Sequence, residues 1–453
     1  MNYSNKLLSH LNLPRFQWSL SLVGLCIFTF AIISFRFPVA QLGIAVAALG
    51  LILGRERVQV PFPLWLYAAF LLWALAGSFA SRYQDVALDK LVEHLKLLVI
   101  MFVIINALRN KDQLRFYLLF FLGCFVLFPV RGTLVGRDTI QGRAVWNYIY
   151  ANPNDLAALA IIALGIAFAI AFSEPRRTVV WFGATISSVL LLLVILLTQS
   201  RGAFIGLAVG MSTAILRLVL KRPRLFVPAF LVALLIGFMT PDSVWNRLSG
   251  IGKLTSTSTI DEADHEGSAA QRFEIQKVAW QIFIENPIFG IGLGSYKEAN
   301  QRNAPHLGRK DTHNTYLNLA AEVGLPALLL WCALFGSVIL HSYRIRKEAG
   351  FSRSLASSIR AALSAPGRKD SRSFFYALKL CTKLNQANSE RTLLAEQQSW
   401  IERGLASYLV AGLFGTFSAL TFPYLMLAVL WCSASILSRA TPIEANRAAK
   451  EKK

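Results

Sequence analysis

The chain has 453 residues, of which 55% are hydrophobic and 16% are charged, with 46 Lys and Arg against 25 Asp and Glu. Soluble domains carry about 25% charged residues, so this composition excludes an ordinary soluble protein. The net charge of +21 does not indicate nucleic-acid binding, because the basic residues lie in short connectors between long apolar segments, which is how membrane topology is encoded.

Twelve apolar segments follow one another along the chain and predict an all-α integral membrane protein. Proline and threonine at Thr421-Phe422-Pro423 are predicted to fold the last uncharged stretch into a hairpin of two helices. The predicted spans are approximately 16–35, 37–54, 58–81, 91–108, 116–130, 156–173, 178–200, 202–220, 225–241, 314–341, 404–420 and 423–438.

The distribution of charged residues between the connectors predicts how these helices are oriented in the membrane. Connectors on the side of both termini hold thirty basic and ten acidic residues, whereas connectors on the other side hold sixteen and fifteen. Because cytoplasmic loops are enriched in Lys and Arg, both termini are predicted to be cytoplasmic. The predicted organisation is 1–240 with nine membrane helices, 241–313 as a large outer loop, 314–341 as the tenth helix, 342–403 as a cytoplasmic amphipathic segment, 404–438 as the last two helices and 439–453 as a basic tail.

The outer loop contains an apolar pattern with helical spacing. Apolar residues recur every three or four positions from Phe273 to Phe283, which predicts an amphipathic helix on the membrane surface. Three glycines in FGIGLGSY follow and resemble a dinucleotide-binding fingerprint. That interpretation is rejected, because neither a preceding strand nor a βαβ unit is evident.

Two lone arginines on the outer side are candidates for binding an anion. Arg201 lies in a very short turn between two apolar runs, next to a helix N-terminus whose free N–H groups favour negative charge. Arg272 lies in the outer loop. The alternative for both is a side chain that extends to the lipid headgroups without further function.

His313 precedes the tenth predicted span and is the candidate general base, since imidazole titrates near neutral pH. The alternative is a histidine that only bonds the helix backbone. The histidines and cysteines show no ligand spacing, so no metal site is predicted. Further candidate substrate contacts precede the sixth span, although the aromatic residue among them also fits an interfacial belt. They are Arg143, Tyr148 and Asn154.

Four stretches together resemble the O-antigen ligase and polymerase superfamily of bacterial envelope enzymes. They are SRGA at 200–203, R-x₇-W at 272–280, HNTYLNLAAEVGLPAL at 313–328 and NPND at 152–155. The likeness covers roughly residues 150–340. Family members often carry GLIG after the histidine helix, whereas this chain has Gly324-Leu325-Pro326.

The resemblance implies a multi-pass enzyme of the bacterial inner membrane with its active site facing the periplasm. It would transfer a glycan from undecaprenyl diphosphate to an acceptor hydroxyl, with inversion and without metal or cofactor. His313 would be the base, and Arg201 and Arg272 would bind the diphosphate.

An O-antigen ligase, whose acceptor is lipid A core, is favoured. The alternative is a polymerase, whose acceptor is another lipid-linked glycan. A transporter or flippase for lipid-linked glycans is a rival from another class. Transporters usually show internal repeats and bind near the bilayer midplane, and neither feature is evident in this sequence.

Overall fold

A computed structural model of the chain describes residues 18–35, 39–54, 57–175, 178–221, 268–363 and 371–439. The first helices in chain order are α1 Leu20–Ser34, α2 Ala40–Leu53, α3 Phe62–Ala80, α4 Gln84–Ala107, α5 Lys111–Phe125 and α6 Arg131–Gly136. They are followed by α7 Pro153–Ser173, α8 Val179–Leu197, α9 Arg201–Lys221, α10 Ser268–Glu285, α11 Tyr296–Asn303, α12 Thr315–Leu363, α13 Ser371–Ala411 and α14 Thr421–Arg439.

Short elements join some of these helices. A π-helical turn, Val126–Val130, connects α5 to α6 and contains Pro129, which removes one backbone donor from the helix. Strands β1 Thr139–Ile140 and β2 Arg143–Ala144 form an antiparallel hairpin in which Ile140 pairs with Arg143. Short 3-10 turns lie at Tyr148–Tyr150 and Pro305–Leu307. The described chain is therefore predominantly helical, which confirms the predicted all-α class.

The number of membrane spans stays a prediction. Six described helices are long and apolar enough to cross a membrane by length and composition. They include α3, α7, α8 and α14, the continuous run Lys111–Gly136 and the first part of α12. The predicted span 225–241 and the basic tail from residue 440 lie outside the described residues.

Helix α7 lies at the centre of the bundle and is buried along most of its length. A Cβ atom added at Gly165 would lie 2.8 Å from the Cα atom of Gly404 on α13, so the two backbones are in direct contact. Three residues further along α13, Ser407 would overlap a Cβ atom at Gly210 of α9. Small residues therefore allow the end of α13 to pack closely against both α7 and α9.

The last two helices differ from the predicted hairpin. Helix α13 ends at Ala411, and residues 412–420 form a loop instead of completing the predicted span 404–420. Pro423, which was predicted to begin the last span, lies in the first turn of α14. Proline is tolerated there because the backbone N–H groups of a first turn have no intrahelical partner. The chain therefore turns earlier than predicted, at a segment that contains Gly412 and Gly415.

Helix α10 confirms the predicted helical pattern but uses its apolar face differently. Ile275, Ala279 and Ile282 are buried against α11 and α12. The opposite face exposes Phe273 and Trp280. Most of the predicted apolar face therefore packs on protein, whereas Phe273, which was predicted to lie on the same face, is exposed. Contact of the exposed face with membrane stays a prediction.

The turn after α10, which contains Gly290, Gly292 and Gly294, packs against a non-helical break in α12 at Gly324. Gly290 and Gly324 both have positive φ, 66° and 75°, and a Cβ atom on either would collide with backbone of the other segment. Gly292 N–H donates to the Glu322 carbonyl at 2.8 Å, and Leu325 N–H donates to the Pro287 carbonyl at 2.8 Å. These glycines are needed for close backbone packing, and Gly324-Leu325-Pro326 forms the helix break.

Candidate functional site

A polar cavity of about 290 Å³ lies at the end of the bundle where α7 and α12 begin, called the site end below. Three segments that are distant in sequence contribute to it: the start of α7, the stretch that follows α10, and the loop 412–420. The lining residues are Asn152, Asn154, Asp155, Lys297, Arg309, Lys310, Asp311, His313, Gly415, Thr416 and Phe417.

The start of α7 is organised by asparagines. Asn152 is the N-cap, and its side chain accepts a hydrogen bond from the Asn154 N–H at 2.8 Å. The Asn154 side-chain oxygen accepts hydrogen bonds from Ser200 Oγ at 2.9 Å and from Arg143 Nη2 at 2.8 Å. Arg143 is buried and also donates to the Thr198 carbonyl at 2.9 Å. Two predicted contacts, Arg143 and Asn154, therefore lie together.

His313 lies directly before α12 in a left-handed backbone conformation, with φ of 52°. Such a conformation is uncommon for residues other than glycine. The next residue, Asn314, caps the helix by accepting hydrogen bonds from the N–H groups of Tyr316 and Leu317 at 3.0 and 3.1 Å. The helix cap therefore fixes the backbone on which the imidazole is mounted.

The loop 412–420 holds the start of α12 in place. Thr315 N–H donates to the Gly412 carbonyl at 2.8 Å, and Thr315 Oγ donates to the Gly415 carbonyl at 2.7 Å. Thr312, which is buried, lies 3.2 Å from the Thr416 hydroxyl. The residues on both sides of His313 are thus bonded to a loop that was predicted to be a membrane helix.

Burial is the main cause that lowers the pKa of His313 to about 4, and the neighbouring Arg272 is the second. Asp311 opposes this effect, whereas Lys310 and Lys297 add to it. The imidazole is therefore neutral at neutral pH and can accept a proton. The structure also brings Arg272 close enough to His313 for the two side chains to interact electrostatically.

Ion pairs order the cationic rim of the cavity. Lys297 Nζ lies 3.0 Å from a carboxylate oxygen of Asp311, and Arg309 pairs with Glu298. Lys297 and Glu298 belong to α11, whose first backbone N–H, that of Tyr296, donates to the buried Glu322 carboxylate at 3.2 Å. The rim is therefore anchored to α12 by a short helix.

Arg201 is the first residue of α9 and does not line the described cavity. It lies beside the cavity loop, because a Cβ atom at Gly202 would lie 2.5 Å from Phe414 Cβ. The preceding residue, Ser200, bonds Asn154 of the lining. Tyr148 is exposed, and its ring stacks on Phe35 at a centroid distance of 5.1 Å instead of lining the cavity.

Several lining residues were missed by the sequence reasoning. Asp155 closes the NPND stretch and Asp311 precedes the histidine, so both could have been selected as sequence neighbours of other candidates. Nothing in the sequence indicates the lining residues Gly415–Phe417, because they lie in an uncharged stretch. Among the described residues, no group of three or more metal-ligating side chains could hold a metal ion.

Comparison with known proteins identifies a domain in the middle of the chain. The family model described as O-antigen ligase matches residues 186–332. The matched region includes Arg201, Arg272 and His313. No curated protein matches the chain. The stretch 186–332 is thus similar to the O-antigen ligase family, which confirms the predicted resemblance to the O-antigen ligase and polymerase superfamily.

Proposed function

We propose that the protein is a metal-independent, inverting glycosyltransferase that moves a glycan from undecaprenyl diphosphate to lipid A core, as an O-antigen ligase. The observation that carries the proposal is the polar cavity lined by His313, with Arg272 near enough to act electrostatically on that imidazole. Both residues lie in the region that matches the ligase family. The enzyme would lie in the bacterial inner membrane with both termini in the cytoplasm and the cavity facing the periplasm.

Neutral His313 accepts the proton of the acceptor hydroxyl while the hydroxyl oxygen attacks the anomeric carbon. The bond between that carbon and the diphosphate oxygen breaks, and its electron pair stays on the diphosphate. Arg272 and Arg201 stabilise this charge, since guanidinium groups bind phosphate oxygens bidentately. Direct displacement inverts the anomeric centre.

Two alternatives are weighed against the ligase. A polymerase uses the same donor and differs only in the acceptor, so the cavity fits it equally. A transporter or flippase would need polar groups near the middle of the membrane helices. The cavity instead lies where α7 and α12 begin, which favours a transferase.

Deletion of the protein tests the reaction. Long glycans that accumulate on undecaprenyl diphosphate would indicate a ligase, and single repeat units would indicate a polymerase. An unchanged glycan profile, in cells with no second enzyme of this kind, would contradict both.

The role of His313 is tested with purified protein. We expect His313→Ala to abolish transfer without loss of folded protein. In the wild type, transfer should persist down to about pH 5 and fall about tenfold per pH unit below pH 4, because the pKa of His313 is lowered to about 4. An acidic limb at the ordinary histidine value near 6.5 would contradict the buried, cationic surroundings.

The proposed orientation is tested with reporter fusions. A periplasm-active reporter fused at Ser268 should be active, and the same reporter at Ser371 should be inactive. The reverse result would place the cavity on the cytoplasmic side and exclude the proposed reaction there.

A further inference from the structure

The carboxylate of Asp155 has no function assigned so far. It lies in the first turn of α7 and lines the cavity together with His313. It is half-buried, and within the described part of the chain it has no hydrogen-bond or ion-pair partner. A carboxylate that is partly removed from water without a partner is costly, so a ligand that donates hydrogen bonds is expected.

Neighbouring acceptors in the lining are already engaged. The Asp311 carboxylate pairs with Lys297 at 3.0 Å. The Asn154 oxygen receives hydrogen bonds from two donors, and the Asn152 oxygen caps α7. The two oxygens of Asp155 therefore offer open acceptor positions to a molecule in the cavity.

Fixed charges divide the cavity. Asp311 and Lys297 act on both His313 and Asp155, whereas Arg272 and Lys310 act on His313 and not on Asp155. A diphosphate is repelled by two neighbouring carboxylates and belongs on the side of Arg272. A neutral hydroxyl donates to a carboxylate and fits the side of Asp155.

We propose that Asp155 is the acceptor-binding residue, whose carboxylate accepts a hydrogen bond from a sugar hydroxyl next to the attacking one. This inference rests on the proposed function and assigns the acceptor to a specific part of the cavity. The bond orients the acceptor so that its attacking hydroxyl faces His313, which takes the proton.

The test uses purified full-length protein with undecaprenyl-diphosphate-linked glycan as donor and lipid A core as acceptor. Asp155→Asn keeps the shape of the side chain and replaces one carboxyl oxygen with an NH₂ group that cannot accept a hydrogen bond. Loss of the hydrogen bond from the acceptor hydroxyl should raise the KM for the acceptor about tenfold. The KM for the donor and kcat should change little.

Two further variants control for charge and folding. Asp138→Asn makes the same substitution at an exposed residue outside the cavity and should leave both KM values unchanged. Asp155→Glu retains a carboxylate and should recover part of the lost affinity for the acceptor. A KM effect confined to Asp155→Asn supports the inference.

Other outcomes overturn it. A collapse of kcat with an unchanged acceptor KM would make Asp155 a proton acceptor, and an unchanged acceptor KM with unchanged kcat would leave it without a role in binding. Equilibrium binding of free core oligosaccharide, measured without donor, separates this inference from the proposed function. If the wild type binds the oligosaccharide and Asp155→Asn does not, the inference holds even when turnover is absent.

Discussion

Helices α7 and α8 are both long and strongly apolar, yet they occupy different places. In the most apolar stretch of α7, 78% of the residues are buried inside the protein, whereas in that of α8 the share is 33%. Helix α7 is rich in alanine and has Gly165 at its contact with α13, whereas α8 is rich in leucine and valine. Hydropathy therefore indicates that a helix can cross a membrane, and side-chain size decides whether other helices can approach it closely.

The two helices also serve the cavity differently. The central helix begins with Asn152–Asp155 and places these side chains directly in the lining. The peripheral helix ends at Leu197 and leads through Thr198–Ser200 to Arg201. Arg201 is half-buried, and its contact with the lipid-linked substrate of the proposed reaction stays a prediction. Helix α7 therefore contributes side chains to the cavity lining, whereas α8 leads to an arginine that lies beside the cavity.

The largest effect is expected for Gly165→Leu. An added side chain would displace the α13 backbone, because a Cβ atom at Gly165 already lies 2.8 Å from Gly404 Cα. We expect little folded protein after detergent extraction, measured by size-exclusion chromatography and by thermal unfolding. Gly183→Leu on α8 is the matched control, since no atom lies within 4 Å of its added Cβ. Equal behaviour of the two variants would refute the distinction between central and peripheral helices.

Arg201→Lys tests whether the peripheral helix leads to a functional residue. Lysine keeps the charge but loses the bidentate geometry, so we expect kcat to fall by about 10²–10³, equivalent to about 2.7–4 kcal/mol, with near-normal expression. The control is Arg302→Lys, an exposed arginine near the end of α11. Wild-type turnover of Arg201→Lys would reduce Arg201 to an interfacial anchor.

A smaller effect, on the free energy of unfolding, is expected for the hydrogen bonds that join α7 to the connector after α8. Asn154→Ala leaves the buried Arg143 without one acceptor and should lower the free energy of unfolding by about 1–3 kcal/mol. Ser200→Ala removes one neutral hydrogen bond and should cost about 1 kcal/mol. The double variant should lose less than the sum of the two, because both bonds share the Asn154 oxygen. Additive losses in thermal unfolding would show that the connector and α7 are energetically independent.

Much of the fold followed from local signals. Helix α7 begins at Pro153 and α12 at Thr315, close to the predicted starts, because asparagine caps and proline mark those boundaries. Helix α13 was not anticipated in full, because charged residues suggested a segment outside the membrane. Its Glu402 is buried and paired with Arg346 at 2.7 Å, and such neutralisation depends on a distant helix.

The candidate site was also partly visible in the sequence. His313 was noticed as a titratable group before an apolar helix, and a role for Arg272 was implied by the family resemblance. The contribution of loop 412–420 could not be seen, since it is made through backbone carbonyls that accept bonds from Thr315. An amino-acid sequence specifies side chains but does not by itself indicate where backbone carbonyl groups lie in the folded protein.

The dependence of the cavity on loop 412–420 has a consequence for biogenesis. Synthesis proceeds from the N-terminus, so the residues around His313 emerge from the ribosome long before Gly415–Phe417. The cavity is complete only after α13 has inserted and the loop has bonded to Thr315. A nascent or truncated chain that stops before Gly412 contains every predicted catalytic residue and still lacks one wall of the cavity.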